Sequence, residues 1–248
     1  LNPPKDAPLP EITLAIEVSN PGADATAAAD TPRSGVALGR RSTHGSAIEC
    51  LGVEWLHPTS RHDDALMPAI DTLCRTRSVQ PGDLSRVAVS LGPGGYTSLR
   101  IGVTIAKMIA QATGAACIGV PTADAILANL ADQLSGATTA RVCLAWKRDS
   151  AWRQDFTRDS GGWRGVAPGG IVLLDELAHR VPDALICEAP LRAMLPSSTH
   201  HAIIEPVFDP RGVLATSANL APIDPLLLAP IYPREPEAVT KWRELHPR

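Results

Sequence analysis

The stretch Leu91-Gly92-Pro93-Gly94-Gly95-Tyr96-Thr97-Ser98-Leu99-Arg100 decides how this chain folds. Just before it, Arg86-Val87-Ala88-Val89-Ser90-Leu91 is a short run of mostly apolar residues, the pattern of a buried strand. Beyond it, apolar residues recur at helical spacing from about Thr97 to Thr113, and Gly114 stands where helices commonly end. Ala115 to Val120 is a second strand. Strand, glycine turn, helix and strand make a βαβ unit, which calls for a parallel pair. A glycine turn at a helix N-terminus offers N–H groups and a dipole to an anion. The spacing nevertheless fits neither G-x-G-x-x-G nor G-x-x-x-x-G-K-[ST]. The simpler reading is a tight crossover that needs a positive φ at Gly94 or Gly95. Arg100, one turn into the helix, is placed to meet an anion or to pair with a carboxylate.

Upstream, Ile12-Thr13-Leu14-Ala15-Ile16-Glu17-Val18, Gly35 to Gly39 and Ala47 to Leu56 read as three strands of an antiparallel meander. Residues 1–10 hold Pro3, Pro4, Pro8 and Pro10 and read as a disordered lead-in. From Arg61 to Arg77 the period changes: Leu66, Ile70 and Leu73, with Met67 and Cys74, share one helical face, and Pro68 either lies in the first turn or kinks the helix. Pro121-Thr122 opens a further helix with Thr122 as its expected N-cap. The order is β-β-β-α-β-α-β-α, a mixed sheet covered by helices.

The second half is more weakly patterned. Arg141 to Trp146 and Ala151 to Thr157 read as a strand pair, with a third strand after Gly162. Helices are expected at Leu173 to Arg180 and Arg211 to Asn219, and strands at Ala184 to Cys187 and His201 to Glu205. A second three-stranded opening suggests a duplicated architecture. The expected division is 1–10 as lead-in, 11–121 as a first lobe and 122–248 as a second.

Composition bounds the function. The chain has 248 residues, with 23 Lys+Arg against 26 Asp+Glu, a net charge of -3. Its pI near 6.2 is far below that of domains that grip nucleic acid electrostatically. No stretch approaches the roughly 18–20 apolar residues of a membrane span, and no signal-peptide pattern opens the chain. Cys50, Cys74, Cys117, Cys143 and Cys187 have no C-x-x-C spacing and read as small buried hydrophobes in a reducing cytoplasm.

The helix after the glycine turn has two apolar faces. Ile101, Ile105 and Ile109 form one, and Val103, Ala106 and Ala110 the other, so it lies in the core or at a subunit interface. His62, Asp63 and Asp64 read as a charged helix start, where acidic groups complement the dipole, rather than as a metal or acid–base site. His200 and His201 are adjacent and would point to opposite faces of a strand. Trp146, Trp152 and Trp163, interleaved with Lys147, Arg148, Arg153 and Arg164, suggest either RNA stacking or, more simply, an amphipathic strand surface.

The run from Gly92 to Lys107 resembles the signature G-P-G-S-F-T-G-[LV]-R-I-G of the bacterial TsaB (YeaZ) family. Leu14-Ala15-Ile16-Glu17-Val18-Ser19 resembles the family's opening L-A-I-D-T-S, and Gly119-Val120-Pro121-Thr122 its G-V-S-T. Arg61 to Pro68 resembles the start of its first helix, and Pro230-Ile231-Tyr232-Pro233-Arg234 its P-x-Y-x-R element. The resemblance implies an α/β actin/Hsp70-like ATPase fold, built on the ribonuclease H-like motif, with two related lobes that each hold a mixed sheet flanked by helices. It implies a cytoplasmic, non-catalytic partner of a TsaD-like subunit, working with a TsaE-like ATPase in threonylcarbamoylation of adenosine 37 of tRNA. The tRNA would be met only through the complex, and the chain alone would be a homodimer.

The implied partner or dimer interface is His62, Leu66, Met67, Ile70, Leu73, Leu99, Ile101, Ile105 and Ile109. The signature loop is Gly92, Pro93, Gly94, Gly95, Tyr96, Thr97 and Arg100. No metal, cofactor or catalytic residue is implied. The family's opening Asp is Glu17 here, its I-D-A-R segment is Trp146-Lys147-Arg148-Asp149, and Glu188-Ala189-Pro190 stands where glycines would follow a second-lobe strand. Residues 21–32 look inserted. The degenerate glycine loops argue against ATP binding and turnover. The alternative is an enzyme of the same fold, either an ATP-dependent kinase relative or a glycoprotease-like metallopeptidase.

Overall fold

The structure is a computed structural model that describes residues 11–20, 33–41, 47–57, 62–178, 182–195, 202–235 and 237–246. The expectations for residues 1–10, for the 21–32 insertion and for His200 and His201 fall outside the described residues.

The first sheet is built from β1 (Glu11–Glu17), β2 (Gly35–Arg41), β3 (Ile48–Trp55), β4 (Leu84–Ser90) and β5 (Ala116–Val120) in the order β3-β2-β1-β4-β5. β1, β2 and β3 form the antiparallel meander, while β1–β4 and β4–β5 are parallel. The helices are α1 (His62–Thr76), α2 (Tyr96–Thr113) and α3 (Thr122–Asn129). β1 is buried along both faces, which is why its sequence is almost continuously apolar.

On one face, Ile12, Leu14 and Ile16 of β1, Val36 and Leu38 of β2, and Val87 and Val89 of β4 pack under α1 and α2. On the other, Ala15 lies opposite both Ala37 and Ala88, so a row of methyl groups crosses three strands. That shallow surface admits α3 and a helix from far along the chain, α5 (Pro210–Ser217), through Ala125, Val213 and Leu214. α3 and α5 are close enough that a Cβ on Gly212 would lie 2.2 Å from the Ala125 carbonyl oxygen.

The returning segment is tied down by polar contacts. Asn129 Nδ2 donates to the carbonyls of Val207 (3.0 Å) and Asp209 (3.1 Å). Arg86 donates to the carbonyls of Ser217 (2.8 Å) and Leu220 (3.2 Å), and Arg41 to that of Ala218. Two guanidiniums thus satisfy carbonyls that the end of α5 would otherwise leave open. Ile223 N–H then bonds to Cys117 on the outer edge of β5.

The second sheet repeats the plan. β6 (Thr139–Lys147), β7 (Ser150–Asp159), β8 (Gly162–Gly165), β10 (Ala184–Cys187) and β11 (Ala202–Ile204) lie in the order β11-β10-β6-β7-β8, with β9 (Gly170–Leu173) beside β7. β8 and β9 run in the same direction along one edge of β7, so they act as one interrupted third strand. Antiparallel pairing of the first three strands and parallel pairing of β6–β10–β11 match the first sheet strand for strand.

The short α4 (Ala189–Arg192) and a 3-10 turn at Asp175–Ala178 cover one face, through Leu191 and Leu177. Under them Arg141, only 2% exposed, pairs with Asp155 at 2.7 Å and donates to the Leu177 carbonyl. Burying that guanidinium is tolerable because every face of it meets an acceptor.

Contacts divide the chain into 1–136 with 206–230, and 137–205 with 231–248. The sequence boundary at 121 is therefore displaced: α3 and the returning segment pack with the first unit. The helix expected at Leu173 to Arg180 is the end of β9 followed by the 3-10 turn. The proline-punctuated tail contains a helix the sequence reading missed, α6 (Glu237–Leu245).

Candidate functional site

The signature loop joins the carboxyl ends of β1, β4 and β5. The Glu17 carboxylate, 1% exposed, accepts from Ser19 N–H at 2.6 Å and from the Ser90 hydroxyl at 3.1 Å. Gly95 N–H is spent on the Ser19 carbonyl at 2.7 Å. Gly92 N–H is spent on Thr122 Oγ1 at 3.0 Å. Thr122 is thus not the N-cap of α3, as the sequence suggested; Pro121 holds that place and the Thr122 hydroxyl serves the loop instead.

The positive φ is also elsewhere than expected. It falls on Gly92 (96°), which precedes Pro93 through a cis peptide, whereas Gly95, the N-cap of α2, has φ -63°. Gly94 is glycine for want of room: a Cβ there would lie 2.1 Å from the Ser19 carbonyl oxygen. The loop is a packed join with several of its donors engaged inside the protein.

α2 extends from this loop and ends at Gly114, which adopts the left-handed conformation and closes the helix on Ala110. Its two apolar faces have different fates. Leu99, Val103, Ala106 and Ala110 are buried against the sheet, and Gly102 faces it so closely that a Cβ would meet Val18 at 2.6 Å. Ile101, Ile105 and Ile109 are half-buried, packed on the outside of the same core.

α1 behaves alike: Leu66 (0% exposed), Ile70 (6%) and Leu73 (3%) are core, while Met67 is 48% exposed. Of the residues expected at the interface, Leu66, Leu73 and Leu99 are thus buried in the core, and Ile70 is nearly so. The hydrophobic spacing that suggested an interface also serves the monomer core. The side chain of His62 lies outside the described residues.

What remains outward is Met67, Ile101, Ile105 and Ile109, joined by Met108, which is 65% exposed and was missed. Met67, Ile70, Cys74, Val79, Leu84 and Ile109 line a groove of about 440 Å³ between the two helices. A second hollow of about 350 Å³ lies over Thr97, Arg100, Ile101, Thr104 and Ile105. Beside it the Arg100 guanidinium sits 5.4 Å from the centre of the Tyr96 ring. Two helices thus present an apolar ridge with polar ends, geometry suited to another helical surface.

The remaining candidates disperse. Trp146 is at the β6–β7 turn, Trp163 on β8 opposite Arg158 near the far end of β7, and Trp152 is 5% exposed in between, so the three do not form one surface. All five cysteines are free; Cys117, Cys143 and Cys187 are buried, Cys74 is intermediate and Cys50 is exposed. Burial pushes the Cys143 thiol up to about 12 and the Cys187 thiol up to about 11, so neither is a nucleophile at neutral pH. Among the described residues no three His, Cys, Asp or Glu side chains gather to hold a metal ion, and no helix is long and apolar enough to cross a membrane.

Comparison with known proteins agrees with the sequence resemblance. The family described as TsaD, tRNA N6-adenosine threonylcarbamoyltransferase, matches residues 56–146. The chain is 27% identical to the tRNA threonylcarbamoyladenosine biosynthesis protein TsaB of Bacillus subtilis over 198 residues, 74% of this chain and 84% of that protein. It is 28% identical to TsaB of Escherichia coli over 119 residues, 48% of this chain and 51% of that protein.

YeaZ from Pseudomonas aeruginosa superposes with a TM-score of 0.67 at 14% identity, covering 90% of this chain and 99% of the other. A Pseudomonas aeruginosa protein described as similar to peptidase YEAZ gives 0.69 at 16% identity, with 90% and 100% covered. The chain is similar in sequence to TsaB, and it shares its two-sheet α/β fold with YeaZ, with the same strand order in both sheets.

Proposed function

We propose that this chain is a non-catalytic, TsaB-like partner and activator of a TsaD-like subunit in the threonylcarbamoylation of tRNA adenosine 37. The observation that carries this reading is the outer face of α1 and α2, where Met67, Ile101, Ile105, Ile109 and Met108 leave an apolar ridge at the surface of the first unit. Such a ridge gains by being covered, at roughly 25 cal/mol for each Å² removed from water. The resemblance to TsaB supplies the identity of the cover: a TsaD-like subunit, or a second copy of the chain when that subunit is absent.

The engaged donors around Glu17 and Gly95 support an accessory role, because the join between β1 and β4 is given over to internal hydrogen bonds. The partner would hold the tRNA and carry the chemistry, with a TsaE-like ATPase supporting turnover. No cofactor is assigned to this chain.

The test is complementation of a TsaB-depleted bacterium, with threonylcarbamoyladenosine in total tRNA measured by mass spectrometry. Restoration of the modified nucleoside, together with co-purification of the chain with TsaD, is the expected result. Full expression of the chain with neither outcome overturns the proposal.

A further inference from the structure

The Trp146-Lys147-Arg148-Asp149 segment has no role in the reading above, yet it is built with care. β6 and β7 pair in register at Leu144 with Trp152 and again at Lys147 with Ser150, so Ala145 and Trp146 together face the single residue Ala151. This is a bulge, a device that re-aims a side chain. Ala145 (φ 51°) and Arg148 (φ 57°) both take the left-handed conformation that suits glycine. Arg148 is the first of the two turn residues, a position where hairpins of this kind take glycine. An arginine at a position that suits glycine points to a use for its side chain.

Arg234 of the Pro230–Arg234 element holds the strained turn at both ends. Its guanidinium donates to the Ala145 carbonyl, and to the carbonyl and hydroxyl of Ser150 at 2.9 and 3.0 Å. Trp146 is consequently turned out, 37% exposed, with its indole N–H fixed on the Arg148 carbonyl at 3.1 Å. Lys147 precedes the turn and Arg148 and Asp149 form it, all three exposed.

The next residue along, Glu235, pairs with Arg243 of α6 at 2.7 Å. On that helix Trp242 is 61% exposed, stacked on His246 at 4.8 Å and flanked by Lys241. Arg234 and Glu235 thus tether two elements of the second unit, each presenting an exposed indole beside basic side chains.

We propose that the β6–β7 turn is a contact for single-stranded RNA. An indole face stacks on any unpaired base, and flexible cations beside it neutralise the adjoining phosphates. A duplex hides its base faces and would not use the indole. An acidic protein surface would answer the cations and leave the indole in water. This contact goes beyond the partner role and does not depend on it: RNA binding and association with a TsaD-like subunit are separate measurements, and either can fail alone.

The experiment is fluorescence anisotropy of a labelled single-stranded oligoadenylate RNA with the full chain, at low and at moderate salt. The expected result is binding that weakens with salt, by a slope of about -0.7 for each phosphate contact. Trp146→Ala should weaken it about tenfold, Trp146→Phe should largely preserve it, and Lys147→Ala with Arg148→Ala should flatten the salt dependence. Trp163→Ala, on β8, should leave it unchanged. Circular dichroism identical to the parent keeps a loss in Trp146→Ala interpretable. Absence of binding at low salt, or equal binding by Trp146→Ala and the double variant, overturns the proposal. So does displacement of the RNA by polyglutamate combined with indifference to Trp146→Ala, which would mark a protein-docking surface instead.

Discussion

The carboxylate of Glu17 and the hydroxyl of Ser90 meet at 3.1 Å across the neighbouring parallel strands β1 and β4. Both side chains are buried, and the same carboxylate oxygen also accepts from Ser19 N–H. The contact ties the end of the first strand to the strand that feeds the glycine loop, at the place where the family signature and its opening segment converge.

Replacing Glu17 by Ala should therefore destabilise the first unit by about 2–4 kcal/mol, because two buried donors lose their acceptor. Glu17→Gln keeps an acceptor oxygen and should cost less. Urea unfolding midpoints of the two variants decide this; equal midpoints for parent and Glu17→Ala would refute it.

Gly94→Ala should be destabilising by about 1–3 kcal/mol, since its new methyl group would be driven into the Ser19 backbone. Gly82→Ala, where nothing lies within 4 Å, is the matched control and should be close to neutral. Thermal unfolding of the pair separates steric crowding from a general cost of losing glycine.

On the helical ridge, Met67→Glu should reduce association with a TsaD-like partner while leaving the thermal midpoint near that of the parent, because Met67 is 48% exposed. Leu66→Ala should do the reverse. It removes a fully buried side chain, costs about 2–5 kcal/mol of stability, and affects association only through unfolding. Pull-down measured beside calorimetry on both variants would show whether neighbouring positions of one helix divide these tasks.

Part of the acid sensitivity should come from Asp155. Burial raises its carboxyl pKa, but hydrogen bonds from Arg153 and Arg141 outweigh that and hold it below the ordinary 3.8. A depressed pKa in the folded state contributes stability above the unfolded value and loses it as pH falls through the folded one. Asp155→Asn should thus lower stability near neutral pH and flatten the loss of stability below about pH 4. Urea titrations from neutral pH down to pH 2 test this, and parallel curves for the parent and the variant would exclude it.

Much of the first unit was legible because its elements announce themselves locally. The nearly continuous apolar run of β1, the period of α1, and the glycines that bracket α2 each depend on residues within a few positions of one another. The same local logic failed at Thr122, whose hydroxyl was assigned to the helix it begins. A residue 30 positions earlier in the chain, Gly92, takes it instead. It failed again at α6, where prolines on either side masked a short amphipathic helix. Among the residues expected at an interface, spacing could not say which side chains the core would take. Leu66 and Met67 are adjacent and both apolar, and only the position of the sheet buries one and exposes the other.

The sequence by itself determined the element types of the first unit, the meander followed by a βαβ unit, and the family resemblance. These rest on period, turn chemistry and short motifs, all properties of neighbouring residues. The tertiary structure alone decided that residues 206–230 return to complete the first unit, and that Arg41 and Arg86 hold the end of α5. It also decided that Arg234 bends a turn some 90 residues earlier to expose Trp146. Those outcomes are fixed by which surfaces meet when hydrophobic faces are buried together, a relation between distant residues that no one-dimensional pattern carries.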